Sequence, residues 1–245
     1  MIAGMVKMLS LRKICLSTLL LAEAMTLASS GAASEEYPHI SSFSNGITVT
    51  VHTPGRIMEE MVYYDIDGRM ILDIPGGGQY HLVEDISDPV IVNKGDGQFH
   101  PFDGQQVLAA IEGIEAGGAW MGMEIEVYIL PLPRRFVQTS STVGLDVFLS
   151  PGVLELSADL TACVVTHEVG HCVQNRFMPD GEGTLWNEYV YIRGIGDESL
   201  FAPTAEHMYR PAEIFAEDFR FLFGCQASRY SGTIENPYIA MPGEV

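Results

Sequence analysis

The sequence predicts an α+β protein with its strands gathered early and its chemistry on helices late. Three observations carry this. Short β-rich runs alternate with turn residues from Ile47 to Asn93, a twenty-residue apolar stretch after Ser157 holds Thr166-His167-Glu168-Val169-Gly170-His171, and a second apolar stretch after Pro211 holds Glu213 and Glu217. A length of 245 residues allows one sizeable core, or a small module attached to a larger domain.

The first runs are Ile47–Val51, Met70–Ile74 and Val90–Val92, separated by Thr53-Pro54-Gly55, Asp65-Ile66-Asp67-Gly68 and Pro75-Gly76-Gly77-Gly78. They read as a small antiparallel β module over residues 34–100. Asp65 and Asp67 resemble the start of a calcium loop, but the later ligands are missing and an ordinary turn is expected. Gly76–Gly78 does not match a phosphate-binding loop.

A domain over 101–226 follows. Pro101-Phe102-Asp103 opens a helix with Val107, Leu108, Ile111 and Ile114 on one face, closed by Gly117-Gly118. Met123–Leu132 and Val143–Leu149 read as strands, the second suited to a sheet edge that pairs with an extended peptide. Ser157 caps the next helix, with Asp159 in its first turn, and Leu160, Val164, Val165, Val169, Val173 and Phe177 make it a buried one. Trp186–Ile192 is a further helix, and a C-terminal tail covers 227–245.

His167 and His171 in a buried helix need partners, and four-residue spacing puts them one turn apart on one face. That is the geometry for holding one zinc ion, with Glu168 beside it as a general base. A catalytic zinc site needs a third protein ligand and an open position. Pro211 suits a first helical turn, and Glu213 and Glu217 then share a face, dividing into a ligand and a residue that supports a ligand.

Composition bounds the partners. The net charge of −19 and the scattered Lys and Arg residues argue against nucleic acid. Lys7, Arg12 and Lys13, an apolar run from Ile14 to Ala22 and small residues up to Ala33 have the order of a signal peptide over 1–33, which predicts a secreted or periplasmic protein without a stable membrane span after cleavage. Cys163, Cys172 and Cys225 remain in the exported chain; a pair of them could form a disulfide, and buried apolar thiols are the simpler expectation.

His167-Glu168-Val169-Gly170-His171 together with Ala212-Glu213-Ile214-Phe215-Ala216-Glu217-Asp218-Phe219 resembles the gluzincin metallopeptidases. The closest likeness is to the branch that holds the anthrax lethal factor catalytic domain and clostridial Pro-Pro endopeptidase. The resemblance covers residues 157–224 and implies a zincin-like catalytic domain, one catalytic Zn2+ on His167, His171 and Glu213, and peptide or protein substrates. It also implies that Glu217 orients a zinc-binding histidine. Members of the branch carry an oxyanion-stabilising tyrosine seven positions before the ligand glutamate, where this chain has Glu206. His207 is the preferred replacement, with Tyr209 as the alternative donor and Arg210 as a supporting residue that would add to the stabilisation. The expected activity is zinc-assisted peptide hydrolysis with Glu168 as general base. The alternative is an exported zinc-containing binding protein that has kept the fold and lost turnover.

Overall fold

The computed structural model of the chain describes residues 39–115, 122–179 and 183–243. The expected signal peptide, Cys15 and Gly117-Gly118 lie outside the described residues. Strands β1 (His39–Ser42), β2 (Ile47–His52), β6 (Met123–Ile129), β7 (Ser141–Val143) and β8 (Asp146–Leu149) form one sheet in the order β1-β2-β6-β8-β7. Strands β2, β6 and β8 run parallel, and β1 and β7 close the sheet antiparallel at either edge. A smaller antiparallel sheet joins β3 (Val62–Tyr64), β4 (Met70–Ile74) and β5 (Gly78–His81). The helices are α1 (Pro54–Glu60), α2 (Gly104–Glu112), α3 (Ala158–Phe177), α4 (Gly183–Arg193) and α5 (Pro211–Phe223). The protein is a mixed α+β protein, as the sequence predicts.

The separate β module needs correcting. Strand β2 alternates buried Ile47, Val49 and Val51 with half-buried Thr48, Thr50 and His52, the pattern of a sheet strand with two different faces. Its partner beyond β1 is β6, in parallel register from Ile47 opposite Met123 to His52 opposite Tyr128. The small sheet also lacks a core of its own: Leu72 and Ile74 are buried in one cluster with Ile57 of α1 and with Tyr128 and Phe148 of the large sheet. A boundary near residue 100 would cut through both the sheet and this cluster, and the described residues all belong to one unit.

Three local expectations also change. Val90–Val92 forms turns in which Val90 N–H donates to the Asp88 carboxylate. Helix α2 starts where expected, with Asp103 accepting from Gln106 N–H, but stops at Glu112 with Gly113 as its cap. The run Val143–Leu149 is broken by a tight hairpin at Gly144 (φ 63°), a left-handed conformation that favours glycine. Val143 therefore ends the edge strand β7, and Asp146 begins β8.

Asp65 forms the expected ordinary turn, accepting from Asp67 N–H and Arg69 N–H at 2.9 Å each. Ser157 caps α3 by accepting from Leu160 N–H, and Asp159 sits in its first turn. Consecutive residues of β6 serve the two sheet faces: Tyr128 joins the cluster shared with the small sheet, while Ile129 lies against Gly104 of α2. Helix α3 packs against α5 as well, and it is buried along most of its length. Among the described residues, no helix is long and apolar enough to cross a membrane.

Candidate metal centre

Helix α3 carries His167, Glu168 and His171 because apolar neighbours fix its orientation: Val165, Val169 and Val173 are fully or almost fully buried. Their burial turns the two histidines toward α5, with ring centroids 4.9 Å apart and planes crossing at 80°. Helix α5 begins at Pro211, buries Ile214, Phe215 and Phe219, and so turns Glu213 in its first turn toward α3. Glu213 Oε2 lies 3.2 Å from His167 Nε2 and 3.1 Å from His171 Nε2. One donor atom from each of the three side chains falls within 4.8 Å of the others, and the group could hold a metal ion. It is the one such His, Cys, Asp and Glu group of three or more among the described residues.

A supporting layer fixes the first histidine. His167 Nδ1 is 2.9 Å from Glu217 Oε1, so the ring presents Nε2 to the centre. Arg220 donates to both oxygens of Glu217, from Nε at 2.9 Å and from Nη2 at 2.7 Å. Glu235 backbone N–H donates to Glu217 Oε2 at 2.8 Å. Arg220 is itself held by the carbonyls of Ser228 and Thr233. The buried carboxylate and guanidinium are thus paired and hydrogen-bonded, the condition under which buried charge is tolerated.

The electrostatics follow from these contacts. Burial works against a charged His167, yet hydrogen bonds with Glu213 and Glu217 outweigh it and push the ring up to about 10 in the metal-free chain. Glu213 is partly buried, which favours its neutral form; hydrogen bonds from His167 and His171 prevail and hold it well below the usual carboxylate range. Glu217 behaves likewise, lowered to about 2 by His167 and Arg220 against the effect of burial. The centre is built to keep its carboxylates ionised.

Glu168 is 5% exposed, and its carboxylate accepts a hydrogen bond from Thr142 Oγ1 at 2.7 Å. His207 reaches the centre: its Nε2 is 3.3 Å from Glu213 Oε2, and its Nδ1 is 2.9 Å from Glu235 Oε2. It is not part of the three-residue group. The Tyr209 ring contacts Phe201, with which it shares an apolar cluster, and stacks on the exposed Tyr238. Arg210 donates from Nε to the Ala205 carbonyl at 2.9 Å, bracing the loop before α5. Cys163, Cys172 and Cys225 are free thiols outside the group, and burial pushes the Cys163 and Cys172 thiols up.

Sequence reasoning missed Thr142, Arg220 and Glu235. Arg220 had a signal, since it follows Glu217 by three residues on the same helix. Thr142 and Glu235 had none: each arrives from a distant segment through a tertiary contact. No protein-family model, curated protein or solved structure matches the chain significantly.

Proposed function

We propose that the chain is an exported zinc-dependent endopeptidase of the gluzincin type, with a zincin-like catalytic fold. The observation that carries this reading is the convergence of His167, His171 and Glu213 beside Glu168, with Glu217 behind His167. The donor set suits zinc. Ligand atoms at tetrahedral positions, each about 2.0–2.1 Å from the ion, stand roughly 3.3 Å apart. The observed separations from Glu213 are 3.1 and 3.2 Å.

When bound, zinc supplies a Lewis acid that acidifies water and polarises a carbonyl. The remaining work belongs to the chain. Glu217 holds the His167 ring in place, and Glu168 takes the proton from the water that attacks the scissile carbonyl carbon. As the C–N bond breaks, Glu168 returns that proton to the leaving amine. His207 is the expected oxyanion residue whose ring lies at the centre, its Nε2 3.3 Å from Glu213 Oε2. Strand β7 ends the large sheet next to α3, and its outer edge has no strand partner among the described residues. Such an edge suits an extended peptide, which supports a peptide substrate.

One observation favours the second reading, a zinc-containing binding protein without turnover. Both ring nitrogens of His207 face carboxylates, of Glu213 and of Glu235, which leaves neither free for an oxyanion while those contacts hold. Cleavage of a diverse peptide library by the purified protein separates the two. The endopeptidase reading expects one zinc per chain, cleavage by wild type and loss of cleavage in Glu168→Gln. Zinc bound without cleavage by either protein establishes the binding reading, and a folded preparation that takes up no metal removes both.

A further inference from the structure

Resting on the peptidase reading of the site, we propose that Thr142 is the positioning residue of Glu168. Thr142 lies in the edge strand β7, opposite Val147 of β8. Val147 is fully buried, so Thr142 shares the sheet face that turns inward, while exposed Val143 points the other way. A one-residue slip of β7 would remove the hydroxyl from α3. In the observed register Thr142 Oγ1 lies 2.7 Å from Glu168 Oε2 and 3.1 Å from the Glu168 backbone carbonyl. The hydroxyl has one proton, and the closer acceptor, the carboxylate oxygen, takes it, with the Cys172 thiol as a further side-chain partner of the same hydroxyl.

The hydroxyl is carried on a firm support. Arg134 donates to Ser141 Oγ at 2.6 Å, Ser150 N–H donates to Ser140 Oγ at 3.1 Å, and Asn175 Nδ2 donates to the Gly144 carbonyl at 3.0 Å. Arg134 is itself clamped over the Phe148 ring, 4.7 Å from its centroid. Thr142 is β-branched and stiff at χ1, whereas a glutamate turns about three bonds to reach its carboxylate. The stiff partner therefore sets the flexible one: Oε2 is occupied by a donor, and Oε1 is left to receive the proton from water. The same contact joins the general base to the strand along which a peptide would lie, so base and substrate are placed by one element.

The test uses the full metal-loaded chain with Thr142→Val, Thr142→Ser and Glu168→Gln. Loss of the hydroxyl in Thr142→Val lowers kcat by about tenfold or more and leaves KM within about twofold, because the group orients the base without holding substrate. Thr142→Ser, which keeps the hydroxyl, stays near wild type. A merely structural role would instead lower Tm alike in both and move KM. Crystal structures give a reading that needs no activity: the Glu168 carboxylate keeps its wild-type rotamer in Thr142→Ser and leaves it in Thr142→Val. Thr142→Ala gives the same readings should Thr142→Val fail to fold. An unmoved Glu168 carboxylate in Thr142→Val or Thr142→Ala overturns the proposal, whether or not the wild type cleaves peptides. Equal kcat in wild type and Thr142→Val, with Glu168→Gln inactive, overturns it too while leaving the peptidase reading standing. Absence of cleavage by wild type removes the peptidase reading alone.

Discussion

Gly170 and Ala216 meet backbone to backbone where α3 crosses α5. A Cβ on Gly170 would stand 3.0 Å from Ala216 Cα and 3.2 Å from both the Ala216 carbonyl oxygen and Phe219 Cβ. Gly170 precedes His171 in sequence, and Ala216 lies one turn after Glu213, both of the group that could hold a metal ion. The approach therefore sets the distance between the two helices that carry the candidate metal group.

Gly170→Ala should weaken the metal site. Alanine gains about 1 kcal/mol of helix propensity over glycine, but its methyl group meets helix backbone that cannot yield cheaply, an overpacking cost of about 1–3 kcal/mol. The expected result in urea denaturation is a net loss of stability, and metal titration should show weaker binding. Unchanged affinity would mean that another contact sets the spacing.

Glu217→Gln tests the layer behind His167. The substitution keeps the shape but removes the charge that Arg220 and His167 share. Arg220 is then left buried beside a neutral amide, and stability should fall by about 1–3 kcal/mol. Metal affinity should fall by about 10–100-fold, the usual effect of losing a partner that orients a ligand. Competition with a chromophoric chelator measures it directly.

Proton linkage gives opposite pH trends with and without metal. In the metal-free chain His167 is raised from 6.5 to about 10, so its contribution to stability is complete below 6.5 and is lost as pH rises through 10. Glu217 is lowered from 4.5 to about 2, so its contribution is complete above 4.5 and is lost as pH falls through 2. These two groups together favour the metal-free fold most between pH 4.5 and 6.5. Metal uptake must remove the His167 proton from Nε2, so affinity should climb with pH through neutrality. Titration calorimetry in buffers of different ionisation heat should report a released proton at pH 7; none released would contradict protonation of His167 in the metal-free chain.

Shortening the chain to end at Ser231 should disable the centre. The segment beyond supplies the Thr233 carbonyl to Arg220, Glu235 N–H to Glu217 and the Glu235 carboxylate to His207. Asn236 also donates to the Met208 carbonyl, and the buried Arg193, paired with Asp218, donates to the Ala240 carbonyl. Removing these acceptors leaves two buried guanidinium groups short of partners. The shortened protein should melt lower than the full chain and hold metal more weakly; equal metal content would limit the segment to a packing role.

How much of this was legible follows the range of the interactions. The helix around His167 and the shared helix of Glu213 and Glu217 could be read because helical spacing is a local property, and Ser157 and Pro211 mark the helix starts. The mixed α+β character was legible for the same reason. What escaped depends on contacts distant in sequence. Ile47–His52 has an ordinary strand pattern, and nothing in it says that its neighbour is the parallel β6 rather than the next β run. The Gly144 hairpin divided an apolar run that looked like one strand, and Thr142 acquired its partner only through the register of that hairpin. The short 3-10 turn at His207–Tyr209 and the contact of Arg210 with the Ala205 carbonyl likewise left no local signal in the sequence.

The parallel neighbours β2 and β6 carry a kinetic consequence. His52 and Glu126 touch at 2.7 Å although they are 74 residues apart, so this central pairing forms only after a large loop has closed. Topologies dominated by such distant pairings fold slowly. While β6 waits for β2, its run of Ile125, Val127, Tyr128 and Ile129, all buried in the finished protein, stands open to other chains. Dilution or a holding chaperone during refolding should therefore raise the yield of folded protein.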